Sequence, residues 1–514
     1  MVVESTGAEP PRTRDVFPLR LTPSLRANDA LLTRPRKSGA RTGKAVLFVG
    51  LGLVVVATVA AIFLGTLKWT GPQRSPIALS LLRIQIIGGT VQVIVYGLAL
   101  ASLVFLVVRR PTRRRVLVGS ISFSIGALVA GVVLILLAAT DVLGVALSAT
   151  DSFWTVAGFA CIALGIASFW SKAGWRTIGV AFAIIFIGLA GTLGINADFG
   201  LDPTVGALAG VSTLGTVSVP VVKSTPNPIP TILDGGALWA NWVAPNDMPT
   251  AGTISEVDIP GTISGFNARP AGLYLPPAAL VKNPPELPLV IMMMGQPGNP
   301  DPSFQQPILD AYAARHAGLA PIVLVADQIG NPAVDPLCLN TVRHGNAETY
   351  ITQDVVNWAR AHLHVLQDSG HWTIAGYSNG GECALAFGAK YPNIWQNVLD
   401  ISGEEYPGAD ESGAVLASVF HGNRAAYEAT WPVNILAAGT YPDTVGIFTV
   451  GSNDYGYRRE AQLVYAAATG AHWKTTYYEV LNGGHVLGAL NGGLTRGYAV
   501  LYPRLGLSNP AVAP

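Results

Sequence analysis

Charged side chains are scarce in this chain. Asp, Glu, Lys and Arg supply 12% of its 514 residues, about half the share usual in a soluble domain. The shortage is local: it falls on roughly the first 200 residues, while the second half has an ordinary soluble composition. The formal net charge of +1 provides no electrostatic footprint for nucleic acid. Cysteine is nearly absent, with Cys161, Cys338 and Cys383 only. No CxxC or Cys/His spacing suggests zinc, and no motif implies a metal or an organic cofactor. No repeat of 20–50 residues is evident, which argues against a solenoid or propeller. The length exceeds what one core fills, so two or more domains are expected.

What the first half has is long apolar runs. Residues 1–44 form a Pro-, Arg- and Thr-rich stretch with nine basic residues against four acidic ones. It lacks sustained apolar periodicity and reads as a basic disordered tail. Apolar runs follow at 45–67, 84–108, 116–140, 153–170 and 177–195, each near the ~20 residues that cross a bilayer core. The first is too long for a signal-peptide core and no small-residue cleavage site clearly follows it. The last two are shorter and rich in Gly and Ala, which suits close helix packing. Cys161 lies in one of them and reads as a small core residue.

The connecting charges orient these runs. Basic residues gather in the tail, at Arg109, Arg110, Arg113, Arg114 and Arg115, and at Lys172 and Arg176. The alternate loops carry fewer. The positive-inside rule then places the N-terminus in the cytoplasm, and five crossings place everything after Asn196 outside; four crossings would reverse this. No ionisable residue sits deep in any run, which favours an anchor over a transporter.

Residues 197–251 are rich in Pro, Thr, Val and Gly and read as an extracytoplasmic linker. From Gly252 onward, short strands are expected in TISEVDIPG and ARPAGLYLPP, followed by buried strands in LPLVIMMMG, APIVLVAD, HWTIAGYS, QNVLDISG and VGIFTVGSND, with WKTTYYEVL as a further candidate. Helical stretches at 305–317, 350–364, 380–391 and 459–469 lie between them. That alternation predicts a three-layer α/β/α domain over 252–514 with a mostly parallel sheet.

Gly376-Tyr377-Ser378-Asn379-Gly380 fits G-x-S-x-G. The pentapeptide is weak by itself. Here an apolar strand runs into it and a small-residue helix runs out, which is the strand–turn–helix context that lifts a serine hydroxyl above a sheet. Side chains at Gly376 and Gly380 would collide with neighbouring backbone in such a turn. A serine nucleophile needs a base. All eight histidines lie in the second half, and His485 is the one that follows the last expected strand, on a Gly-rich loop. His472 precedes that strand. The acid that orients the imidazole is expected just past the preceding strand, at Asp454, with Asp443 as the other candidate. For the oxyanion, Asn379 follows the nucleophile and Gln296 closes the first buried strand; Pro297 cannot donate.

These residues resemble the esterase D-like branch of the α/β-hydrolase superfamily, with its enterochelin esterases, S-formylglutathione hydrolases and mycolyltransferases. The resemblance covers about half the chain, from 252 to 502. It rests on ARPAGLYLPP…LPLVIMMMGQPG, ITQDVVNWARAHL, IAGYSNGGECALAFGAKYPNIWQNVLDISG and GSNDYGY…GGH. The order of elements is similar to actinobacterial membrane esterases in which several helices precede this domain. The resemblance implies an α/β-hydrolase fold with Ser378, Asp454 and His485 as nucleophile, acid and base. It also implies a Cys338–Cys383 disulfide, which would brace the helix after the nucleophile; two buried thiols are the alternative. Met294-Gly295-Gln296 departs from the usual His-Gly end of the oxyanion strand, and no acyl tunnel of the mycolyltransferase kind is identifiable.

The expected function is a membrane-anchored serine hydrolase acting through an acyl-enzyme on carboxylic esters. A tethered enzyme meets envelope lipids at high local concentration, so acyl or aminoacyl esters of envelope lipids or glycolipids are the expected substrates. An acyltransferase using the same residues, and an inactive receptor or scaffold on a hydrolase fold, are the alternatives.

Overall fold

The computed structural model describes residues 76–108, 112–140, 147–169, 174–200, 202–219 and 237–511. The basic tail, the first apolar run at 45–67, Arg109, Arg110 and Lys172 lie outside the described residues.

Four long apolar helices come first: α1 (Thr90–Val107), α2 (Arg113–Thr140), α3 (Ala149–Ser168) and α4 (Gly174–Phe199). All four are long and apolar enough to cross a membrane, and they coincide with the second to fifth apolar runs. α1 packs on α4, α2 on α3, and α3 on α4. Large apolar side chains such as Leu100, Leu128, Ile135 and Phe182 point outward, as they would on helices that face lipid. Small residues let the helices approach closely. A Cβ on Gly126 would come within 2.5 Å of Phe159 O, and one on Gly165 within 2.7 Å of Ile184. At the α3 start a capping box links Ser148 and Asp151, and Ser148 Oγ donates to Asp198 Oδ2 near the end of α4 at 2.5 Å.

The stretch from 202 to 219 is irregular, as its composition predicts, with only a four-residue turn of helix at Val205–Leu208. It lies along the hydrolase sheet: Val217 N donates to Glu256 O, and Glu256 N donates to Gly215 O. Residues 237–251 pack against the second domain. Leu238 is buried in its core, and the Trp242 indole donates to Ala317 O at 2.9 Å.

The second domain is an α/β-hydrolase fold. Its strands are β1 (Thr253–Val257), β2 (Ala271–Leu275), β3 (Leu289–Met293), β4 (Ile322–Ala326), β5 (Trp372–Tyr377), β6 (Asn397–Ile401), β7 (Val445–Gly451) and β8 (Lys474–Val480). They form one sheet of order β1-β2-β4-β3-β5-β6-β7-β8. β1 and β2 pair antiparallel, as do β2 and β4; from β4 onward every pairing is parallel. β3 and β4 are apolar at every position and buried throughout, because helices cover both faces. The covering helices include α5 (Gln306–Arg315), α6 (Val356–His362), α7 (Asn379–Lys390), α8 (Tyr455–Gly470) and α9 (Leu487–Arg504). α7 packs on β3, β5 and β6, and α9 on β6, β7 and β8.

Two features escape the sequence reading. α9 is not anticipated, since its glycines dilute the apolar period; they let it approach the sheet, with a Cβ on Gly497 only 2.5 Å from Leu399. Residues 404–438 form short helices around an aromatic cluster containing Tyr406, Tyr427 and Trp431.

Candidate active site

β3, β5, β7 and β8 all end on one edge of the sheet, and the parallel register brings those ends level. Met293 pairs with Gly376, and Gly451 with Val480. Ligands of open α/β sheets bind at this carboxyl edge, and the candidate residues lie on the loops that leave it.

Ser378 sits between β5 and α7 with φ 56° and ψ −126°, a conformation that a non-glycine residue adopts only when its surroundings impose it. The neighbours impose it. A Cβ on Gly376 would lie 1.7 Å from Gly380 O, and one on Gly380 would lie 2.2 Å from Met293 O. The turn is pinned by Ser378 N donating to Ile401 O at 2.9 Å and Gly381 N donating to Ser378 O at 2.7 Å. Asn379 opens α7, so its N–H has no acceptor within the helix, and the helix dipole favours negative charge there.

The structure brings Ser378, Asp454 and His485 together. His485 Nε2 lies 2.8 Å from Ser378 Oγ, and His485 Nδ1 lies 2.7 Å from Asp454 Oδ2. The carboxylate can only accept, so the imidazole proton sits on Nδ1 and leaves Nε2 as the acceptor facing the hydroxyl. Asp454 stands at the N-cap of α8 yet makes no side-chain cap. It is buried and spends its carboxylate on the histidine. Asp443 and His472 lie at the opposite, N-terminal ends of β7 and β8. Asp443 pairs with Lys474 and Arg504, which hold its carboxyl below the usual range.

Two aromatic rings stack on the imidazole. Tyr377 stacks at 5.3 Å between centroids and Tyr457 at 3.9 Å. Sequence reasoning missed Tyr457 as a site residue; the only signal was its place in the GSNDYGY string, three residues beyond Asp454 on the same face of α8's first turn.

The loop after β3 closes over the serine. A Cβ on Gly295 would lie 3.0 Å from Ser378 Cβ, so only glycine lets this backbone so near Ser378. The Gln296 side chain is exposed and donates to Pro332 O at 2.8 Å, which leaves its main-chain N–H as the group available to an oxyanion. The Asn379 side chain is tied down: Nδ2 donates to Asp335 Oδ1 at 3.1 Å, and Oδ1 accepts from Gln328 at 3.2 Å.

Cys338 and Cys383 are joined as a disulfide with Cα atoms 5.5 Å apart. It links the loop carrying Asp335 to α7. Against it lies Glu382, with a carboxyl oxygen within 4.8 Å of both sulfurs. Glu382 is 1% exposed and neither of its carboxyl oxygens has a hydrogen-bond partner. Burial first, then the nearby Glu404, raise its pKa well above the ordinary value. Burial also raises Asp400 to about 7, Glu404 to about 8 and Glu460 to about 7. Burial without hydrogen-bond partners disfavours the charged form of such a carboxyl.

The esterase family model, described as "Putative esterase", matches residues 269–482. An uncharacterized protein of Corynebacterium glutamicum is 30% identical over 309 residues, spanning 55% of this chain and 71% of that protein. Among solved structures, an S-formylglutathione hydrolase from Agrobacterium tumefaciens is 17% identical, with a TM-score of 0.42 over 50% of this chain and 98% of that one. A ferulic acid esterase is 15% identical, with a TM-score of 0.40 over 48% of this chain and 99% of that one.

Proposed function

The chain belongs to the esterase family, and from that premise we propose that it is a membrane-anchored serine hydrolase that cleaves carboxylic esters through an acyl-enzyme on Ser378. The observation that carries this reading is the continuous relay from Asp454 Oδ2 through His485 to Ser378 Oγ. Ser378 Oγ attacks the ester carbonyl while His485 Nε2 takes its proton. Asp454 stabilises the imidazolium and does not itself take a proton. The main-chain N–H groups of Asn379 and Gln296 receive the oxyanion. The imidazolium then protonates the leaving alcohol. Water, activated by the same histidine, releases the acid and restores the serine.

The proposed organisation is a cytoplasmic tail (1–44), a bundle of about five spans (45–196), an extracytoplasmic linker (197–251) and the hydrolase domain (252–514). Membrane lipids are the proposed surroundings, and esters of envelope lipids or glycolipids the proposed substrates. One contact supports a lipid substrate. Gly200, one residue beyond α4, lies so near Leu487 that a Cβ on it would come within 2.8 Å of that side chain. Leu487 is two residues beyond His485, so the end of the apolar bundle abuts the loop that carries the base.

A lipid or sugar hydroxyl in place of water would make the same residues an acyltransferase of the mycolyltransferase type. A catalytically inactive receptor or scaffold is the rival of another class. Labelling of intact cells with a membrane-impermeant fluorophosphonate separates them. Labelling that disappears in Ser378→Ala supports both the activated serine and the outward domain. Labelling only after lysis keeps the enzyme and reverses the topology. A wild-type protein that never labels or turns over an ester supports the scaffold.

A further inference from the structure

Two separate segments supply the proposed oxyanion donors: the loop after β3 and the first residue of α7. Their spacing decides whether both N–H groups meet one oxygen, and one buried side chain spans the gap. Gln328 lies two residues past β4 and is 1% exposed. Its Nε2 lies 2.5 Å from Met294 O and 3.2 Å from Asn379 Oδ1. The orientation of both amides follows from chemistry. Met294 O can only accept, so it faces the Gln328 nitrogen. The Asp335 carboxylate oxygen accepts from the far side of Asn379, so Asn379 presents Nδ2 there and Oδ1 to Gln328. The two hydrogens of one amide nitrogen therefore reach the two halves of the oxyanion site.

Gln328 is itself held. The preceding residue, Asp327, is buried; its carboxylate accepts from Arg269 N at 2.5 Å, from Arg269 Nη2 at 2.7 Å and from Gly330 N at 3.0 Å. The same Arg269 side chain donates to Gly298 O at 2.8 Å and to Asn299 Oδ1 at 3.0 Å. The loop of residues 294–299 is thus gripped at its start by Gln328 and at its end by Arg269.

We propose that Gln328 is a positioning residue that sets the spacing of the oxyanion site by bridging the Met294 carbonyl and the Asn379 side chain. The proposal rests on the serine-hydrolase reading above. Gln328 touches no reacting atom. It acts through the Met294–Gly295 peptide, which precedes Gln296, and through the residue that follows the nucleophile. A donor held slightly out of place loses most where charge develops, so its influence belongs to the transition state.

The test uses the full-length protein in detergent, with active sites counted by complete fluorophosphonate titration of Ser378. Gln328→Met keeps the volume and removes both donated hydrogens. Removing an oxyanion donor outright costs on the order of 100- to 1,000-fold in kcat; displacing one is expected to lower kcat per titrated site by about 10- to 100-fold. KM for a p-nitrophenyl ester should stay within about twofold, and affinity for a trifluoromethyl ketone, which forms a tetrahedral oxyanion on the serine, should fall by the same factor as kcat/KM. Asn379→Ala breaks the same bridge from its other end without removing the main-chain N–H. It should reproduce the loss, and combining the two changes should add little. It also serves where Gln328→Met does not fold. A kcat per titrated site within twofold of wild type, or a loss confined to KM, overturns the role of Gln328 while leaving the hydrolase reading intact. A wild-type protein that neither labels nor turns over the ester overturns both.

Discussion

The ring of Tyr457 lies against the imidazole of His485, with centroids 3.9 Å apart and planes inclined by 30°. Together with Tyr377, whose ring also stacks on the imidazole, it leaves the histidine little freedom to turn away from Ser378. Tyr457→Ala should lower kcat by about 10-fold or more, on the view that a misplaced catalytic group costs orders of magnitude. Tyr457→Phe keeps the ring and should retain most of the activity. Steady-state kinetics on a soluble ester with both variants checks this, and equal losses in the two would assign the effect to the hydroxyl.

Asp454→Asn should preserve the fold and lower kcat by roughly 10,000-fold, because an amide at this position can favour the wrong imidazole tautomer. Asp443→Asn should leave kcat near wild type, since Asp443 pairs with Lys474 and Arg504 away from the site. Similar losses in both variants would undo the assignment of the acid.

The buried carboxyls of Glu382, Asp400 and Glu404 give stability an unusual pH dependence. Burial raises Glu404 from 4.5 to about 8 and Asp400 from 3.8 to about 7, and raises Glu382 well above 4.5. The folded state therefore binds more protons than the unfolded one between those limits, and the slope of stability with pH is negative. This contribution is fully present below about pH 4 and is lost as pH rises toward 8. Glu382→Gln removes one such group while keeping its shape. Thermal melts from pH 5 to 9 should show wild type losing Tm toward alkaline pH and the variant losing less of it.

Removing the Cys338–Cys383 bridge, which closes a sequence separation of 45, should destabilise the domain by about 2–4 kcal/mol. Melts of a Cys338→Ala, Cys383→Ala double variant measure this. Because the bridge holds the loop carrying Asp335 against α7, kcat should fall along with stability; an unchanged kcat at low temperature would limit the bridge to a structural role.

Gly200 has φ +73°, and a Cβ on it would lie 2.8 Å from Leu487. Gly200→Val adds both backbone strain and a clash against the His485 loop, so the full-length enzyme should lose turnover per titrated Ser378. Leu487→Ala in the same chain relieves the clash and should restore part of the loss. Failure of the second change to restore any turnover would attribute the effect to backbone strain alone.

Much of this architecture is legible in the residues alone because the relevant physics is local. Run length and the absence of interior charge mark α1 to α4, since a bilayer requires about 20 apolar residues whatever surrounds them. Apolar runs of strand length bounded by Gly and Pro mark β3 to β7. The nucleophile is visible because a strand, two glycines and a helix must adjoin it in the chain. α9 was not visible: its glycines suit close approach to the sheet and weaken the helical pattern.

Chain order also narrows the candidate acid and base to a few residues, and the fold brings Asp454 and His485 to Ser378. Asp454 and Asp443 both flank β7; which one meets a histidine depends on which end of the parallel sheet each occupies. Tyr457 and Gln328 give no comparable signal. Their partners are distant in sequence, as with Gln328 and Asn379, which are 51 residues apart. They meet because β4 pairs beside β3 and β3 beside β5. The sequence by itself determined which segments are apolar, which are strands and where the strained serine stands, since those depend on neighbours along the chain. The Gln328 bridge from Met294 O to Asn379, the stacking of His485 and the raised pKa values of Glu382, Asp400 and Glu404 were decided by tertiary structure, since burial and contact across strands arise only when the sheet has assembled.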